Sequence, residues 1–161
     1  DVNLRLSLWP AGPETGKMIV KQVNLILPYV DLIKLSADEL TYLANVQSMS
    51  NESFIKETIE QGIKCVVITD GPEVIKWYTR HGNSQIRPPK VVALDTTAAG
   101  DSFIGGLLFK LSQASSNEEL ITWLNDSDTL IQPMDFASRC GAHTVQKKGA
   151  FTALPCLKSL T

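Results

Sequence analysis

The stretch DTTAAGDSFIGG, Asp95 to Gly106, sets a carboxylate on either side of a run of small side chains. Ala98, Ala99 and Gly100 let several backbone N–H groups converge with no bulky side chain in the way. Where Asp101 opens a helix, the unpaired amides and the positive end of the helix dipole form a site for an anion. A carboxylate in that same turn sits beside whatever anion binds there. Phosphoryl transfer needs this pairing: donors for the moving phosphoryl group, and a base within reach of the attacking hydroxyl. An aspartate in a first helical turn also complements the helix dipole without doing chemistry, and the residue types leave both readings open.

The surrounding elements must deliver that turn. Val91 to Leu94 reads as a short strand running into it, and the apolar residues from Phe103 onward read as the helix that follows. Upstream, Pro13 to Leu27 has helical spacing, entered through Pro13 near its first turn. Val30 to Leu35 is a short apolar run that fits a buried strand. Ser36 then opens SADELTYLANV, where S-x-x-E is the signature of a capping box. Asn51 to Gln61 reads as a further helix stopped by Gly62, and Lys64 to Thr69 as the clearest buried strand. Val74 to Thr79 and Ser84 to Arg87 flank a hairpin turn at His81-Gly82-Asn83. Asn117 to Asn125 and Pro133 to Gln146 complete the helices. Alternating strands and helices predict one α/β structure: a mostly parallel sheet flanked by helices, with one antiparallel ribbon.

Composition narrows the function classes. The 161 residues are 43% hydrophobic and 20% charged, with a net charge of −2 and both signs interspersed. No basic stripe marks a nucleic-acid binder, and no apolar run approaches the ~20 residues of a membrane span. Cys65, Cys140 and Cys156 lack metal or disulfide spacing, and His81 and His143 stand far apart. A reducing cytoplasm fits this usage. A dinucleotide-binding reading fails because G-x-G-x-x-G is missing.

DTTAAGD resembles the D-T-x-G-A-G-D signature of the ribokinase-like (PfkB) carbohydrate kinases, with Ala98 where the family usually has Gly. Four weaker strings resemble other family elements in the family order: DVNLRLSLW, KLSADEL, ITDGPEVIKWYT and FASRCGAHTVQKKGAFTALP. The resemblance implies that Asp101 is the base and that the amides of Ala98, Ala99, Gly100 and Asp101 form an anion hole, Ala98 serving there if its φ stays negative. It further implies that Asp95 helps hold a monovalent cation with carbonyls near Thr97 and Gly149. Glu39 is implied near Mg²⁺ through water, and Arg5 on the substrate or phosphate side. Thr69, Gly71, Gly141 and Ala142 are implied near the nucleotide, while Val74 and Ser138 depart from the family pattern. ATP, Mg²⁺ and K⁺ are the implied cofactors and a sugar the implied partner. The expected role is the C-terminal, nucleotide-binding and catalytic part of one kinase domain, residues 1–161. The family's N-terminal half, with its sugar-binding residues and the lid through which family dimers form, has no counterpart in these residues. DVNLRLSLW and KGAFTALP most resemble fructokinases, with aminoimidazole riboside kinases and 2-keto-3-deoxygluconate kinases as alternatives. A non-catalytic relative used as a binding module would cite the departures at Ala98, Val74 and Ser138, and the retained Asp101 argues against it.

Overall fold

The computed structural model describes residues 1–160. Four strands form one sheet in the order β1-β2-β3-β4: β1 (Leu32–Ser36), β2 (Cys65–Thr69), β3 (Ile75–Thr79) and β4 (Gly82–Ile86). β1 and β2 run parallel, with Ser36 opposite Thr69, so their carboxyl ends share one edge of the sheet. β2–β3 and β3–β4 are antiparallel. The α/β architecture is as expected, but only one of the three described pairings is parallel, so this sheet is mixed. A two-residue link, Arg80-His81, joins β3 to β4, and Gly82 begins β4 with φ 138° instead of sitting mid-turn.

Six helices cover the two faces. On one lie α1 (Thr15–Ile26), α2 (Ala37–Val46) and α3 (Asn51–Glu60); on the other, α4 (Ala99–Leu111), α5 (Asn117–Asn125) and α6 (Ile131–Thr144). The division follows from the period of two along a strand. Ile33, Leu35, Val66 and Ile68 point to the α1–α3 layer, whereas Cys65, Val67, Ile75 and Trp77 point to the α4–α6 layer. Trp77 is fully buried, and its indole N–H donates to the Ser127 carbonyl at 2.8 Å, tying β3 to the loop before α6. The capping box at Ser36 is formed: its Oγ accepts from the Glu39 N–H, and the Glu39 carboxylate accepts from the Ser36 N–H.

The expected strand at Val91 to Leu94 is not formed. Pro88 and Pro89 remove two ladder donors just before it. The N–H groups of Leu94 and Asp95 both turn to the Val145 carbonyl, at 2.7 and 3.2 Å. The segment leading into the Asp95–Asp101 turn is therefore anchored to the end of α6 rather than to a neighbouring strand.

Candidate functional site

α4 begins immediately after Ala98, and the first bond of its helical ladder runs from the Ser102 N–H to the Ala98 carbonyl at 2.9 Å. Ala98 takes the left-handed conformation, φ 62° and ψ 12°. The expectation of a negative φ here is overturned. The chain must reverse sharply between Thr97 and α4, and the reversal sets the sign whatever the side chain. An L-residue pays roughly 1–2 kcal/mol in this region, because Cβ crowds the following carbonyl. Ala98→Gly is therefore expected to stabilise the fold by about 0.5–1 kcal/mol, strain relief outweighing the extra freedom gained by the unfolded chain. Differential scanning calorimetry should show Tm rising by about 1–4 °C. A fall in Tm would mean that Ala98 is not held in this conformation.

The Ala99 N–H donates to the Thr96 carbonyl at 3.2 Å, so the amides of Ala98, Gly100 and Asp101 are the donors that a cradle can offer. Asp101 is exposed in the first turn, where the dipole favours negative charge. Asp95 stands at the entrance of the turn. One of its oxygens accepts from the Thr97 N–H and the other from the Gly149 N–H, each at 2.9 Å. The Gly149 bond, followed by those from Thr97 and the charge of Lys148, holds the Asp95 carboxyl down at about 2. Asp95, Thr97 and Gly149 thus come together, and their contact runs through backbone N–H groups rather than carbonyls.

Behind the turn, α4 lies close against α6. A Cβ at Gly106 would stand 2.6 Å from the Cys140 Sγ and 3.2 Å from the Ala137 Cα, so only glycine permits this approach. At Gly141, by contrast, a Cβ would meet the Ala99 carbonyl at 3.4 Å, an ordinary van der Waals contact, so the helix approach does not demand glycine there. A buried polar chain locks the pair. Thr144 Oγ1 donates toward Ser102 Oγ at 2.8 Å, and Ser102 Oγ donates to the Cys140 carbonyl at 3.1 Å. Ser138 is buried, and its hydroxyl donates to the Asp135 carbonyl within its own helix. Ala142 follows Gly141 on α6, half-buried. Thr69 ends β2 partly buried, and exposed Gly71 turns the chain toward β3 with φ 50°.

On the other side of the turn, the first residues lie along β1. The Val2 N–H donates to the Lys34 carbonyl at 3.1 Å, and the Leu4 N–H donates to Glu39 Oε1. Glu39 thereby caps α2 and pins the segment carrying Arg5, which is exposed with Nε 3.4 Å from Asn3 Oδ1. Reading the sequence missed Lys34. Its side chain is 8% exposed, its ammonium is 3.2 Å from Asp1 Oδ1, and a Cβ at Gly100 would come within 3.3 Å of that nitrogen. The available signal was a lysine alone in the apolar run of β1, alternating toward the α4 layer.

Known proteins share this arrangement. A probable fructokinase-7 of Arabidopsis thaliana is 34% identical over 161 residues, covering 99% of this chain and 44% of that protein. A fructokinase with bound ATP from Xylella fastidiosa superposes with a TM-score of 0.88 at 32% identity, over 98% of this chain and 48% of that one. A fructokinase double mutant from Vibrio cholerae, in a fructose-, ADP- and potassium-bound form, superposes with a TM-score of 0.78 at 30% identity, over 98% and 47%. This chain spans under half the length of each. Residues 1–156 match the model of the pfkB family carbohydrate kinases, and the chain belongs to that family.

Proposed function

We propose that this chain is the nucleotide-binding and catalytic part of an ATP-dependent sugar kinase, with fructose as acceptor. The observation that carries this reading is the exposed Asp101 carboxylate set among the amides of Ala98, Gly100 and Asp101 at the start of α4. The amides would hold the γ-phosphoryl oxygens of ATP, and Asp101 would take the proton from the attacking sugar hydroxyl. The site opens at the carboxyl ends of the parallel strands, where open α/β sheets place their ligands. Arg5 would approach from the Glu39-pinned segment, and Thr69, Gly71 and Ala142 would line the nucleotide side. Gly141, packed beside Ala99, would line the same side. The remaining acceptor wall, and any homodimer contact, would come from a segment outside these residues. The reduced, unpaired state of Cys65, Cys140 and Cys156 suits a cytoplasmic enzyme.

Metals enter in different ways. Among the described residues, no three His, Cys, Asp or Glu groups gather as a metal cage. Both oxygens of Glu39 accept backbone N–H groups, so Glu39 fits Mg²⁺ only across a water. A Mg²⁺ bound to the ATP phosphates would neutralise their charge. Asp95 fits a monovalent cation: it is a hard, half-buried carboxylate, ionised throughout the neutral range, and each oxygen keeps a lone pair beyond its amide bond.

The test is sugar phosphate formation by the complete kinase with ATP and fructose, beside aminoimidazole riboside and 2-keto-3-deoxygluconate as acceptors. Turnover should be fastest with fructose, and faster in potassium than in tetramethylammonium buffer at equal ionic strength. Equal rates in the two buffers would remove Asp95 from the cation role. No transfer to any of the three acceptors would remove the sugar-kinase reading.

A further inference from the structure

Lys34 lies in the middle of β1 with its side chain 8% exposed, directly beneath the first turn of α4. One of its three N–H donors is used on Asp1 Oδ1, at 3.2 Å. Burial lowers its pKa, and the carboxylates of Glu39 and Asp101 pull it back up, so both negative groups lie within range of the ammonium. For stability alone this is a poor place for a lysine. A buried ammonium loses its hydration, and here it also stands at the positive end of a helix, where the dipole repels it. A methionine would fill the same volume without either penalty. What the cation adds is charge: with the amides of the turn it makes one positive field facing the site, and it bonds Asp1 while attracting the Glu39 and Asp101 carboxylates of two other segments. Gly100 is small for a second reason as well, since any side chain there would crowd the ammonium.

Resting on the kinase reading above, we propose that Lys34 is a positioning residue for phosphoryl transfer. It holds the Asp1–Arg5 segment against the start of α4 and keeps the Asp101 carboxylate aimed at the acceptor hydroxyl. In the complete kinase, Lys34→Met is expected to lower kcat by ~10²-fold while KM for ATP changes less than about threefold, with Tm unchanged or raised. A purely structural lysine would instead lower Tm without separating kcat from KM. Lys34→Gln, shorter and uncharged, is the second variant should the methionine protein fail to fold, and the same loss in kcat is expected. Turnover within about twofold of wild type in the variant that folds overturns the proposal. Asp101→Asn measured alongside separates the two levels of inference. If Asp101→Asn loses its rate and Lys34→Met keeps it, only the role of Lys34 falls. If Asp101→Asn keeps its rate, the site itself is misplaced and Lys34 falls with it.

Discussion

Asp101→Asn in the complete kinase is expected to lower kcat by about 10²–10⁴, the usual contribution of a general base, and to leave nucleotide affinity nearly intact. The amide has the shape of the carboxylate and cannot accept the hydroxyl proton. The cradle is untouched, because its donors are backbone N–H groups and because α4 is held from behind by Gly106 against Cys140 and by the Ser102–Thr144 hydrogen bond. Steady-state kinetics with fructose and ATP, with nucleotide binding followed by calorimetry, would read both quantities. Wild-type turnover would reduce Asp101 to a residue that complements the helix dipole. Weakened ATP binding with unchanged kcat would place the carboxylate on the nucleotide instead of the acceptor.

Residues 1–161 expressed alone are expected to bind nucleotide and to give no useful sugar phosphorylation. Asp101 and the amide turn lie on this chain, so the donor phosphate has a site. The acceptor has little beyond Arg5, and Arg5 is exposed. Holding donor and acceptor in line is worth effective molarities of up to ~10⁵–10⁸ M, and most of that is lost without a wall for the sugar. The isolated chain should also self-associate. Leu25, Ile26 and Tyr29 are exposed at and just beyond the end of α1, Tyr29 by 87%, and Leu8, Val92 and Phe151 are also open to solvent. β1 stands at an edge of the sheet, with only Val2 described as bonding along it. Exposed apolar area beside an unpaired strand edge favours association. Activity assays and size-exclusion chromatography on residues 1–161 and the complete protein, side by side, would decide. Comparable turnover by the shorter chain would show that its own residues complete the acceptor site.

Where the signal was local, reading the residues sufficed. Ser36 and Glu39 announce their capping box within four residues, and α5 runs from Asn117 to Asn125 as read, with Ser116 as its cap. The β-branched run before Thr69 could be buried only as a strand. Failures came where the outcome depends on distant parts of the chain. Val91 and Val92 carry strand chemistry, yet Leu94 and Asp95 give their N–H groups to Val145, some fifty positions away in sequence. Ala98 looks like a residue of negative φ, and the geometry of the turn overrides that preference. The helices meet most closely at Gly106, whose place against Cys140 and Ala137 no local pattern reveals. Lys34 was hidden for the same reason: its meaning depends on Asp1 and Gly100, which only the folded chain brings beside it.

The two packed layers also follow one another along the chain. Every buried residue of the α1–α3 core lies between Ile19 and Ile68, whereas the α4–α6 core runs from Cys65 to Ala137. The overlap is confined to β2, whose alternate residues serve both. During synthesis, then, the buried residues of the first layer are all polymerised by Ile68, before the Asp95–Asp101 turn is added to the chain. The dependence is lopsided, because the α4–α6 core uses Cys65 and Val67 as its floor, whereas among the described residues later than Ile68 only Tyr78 packs against the α1–α3 core. The Asp95–Asp101 turn is thus added after the buried core of the sheet's opposite face, and Gly141, Ala142 and Gly149 follow it.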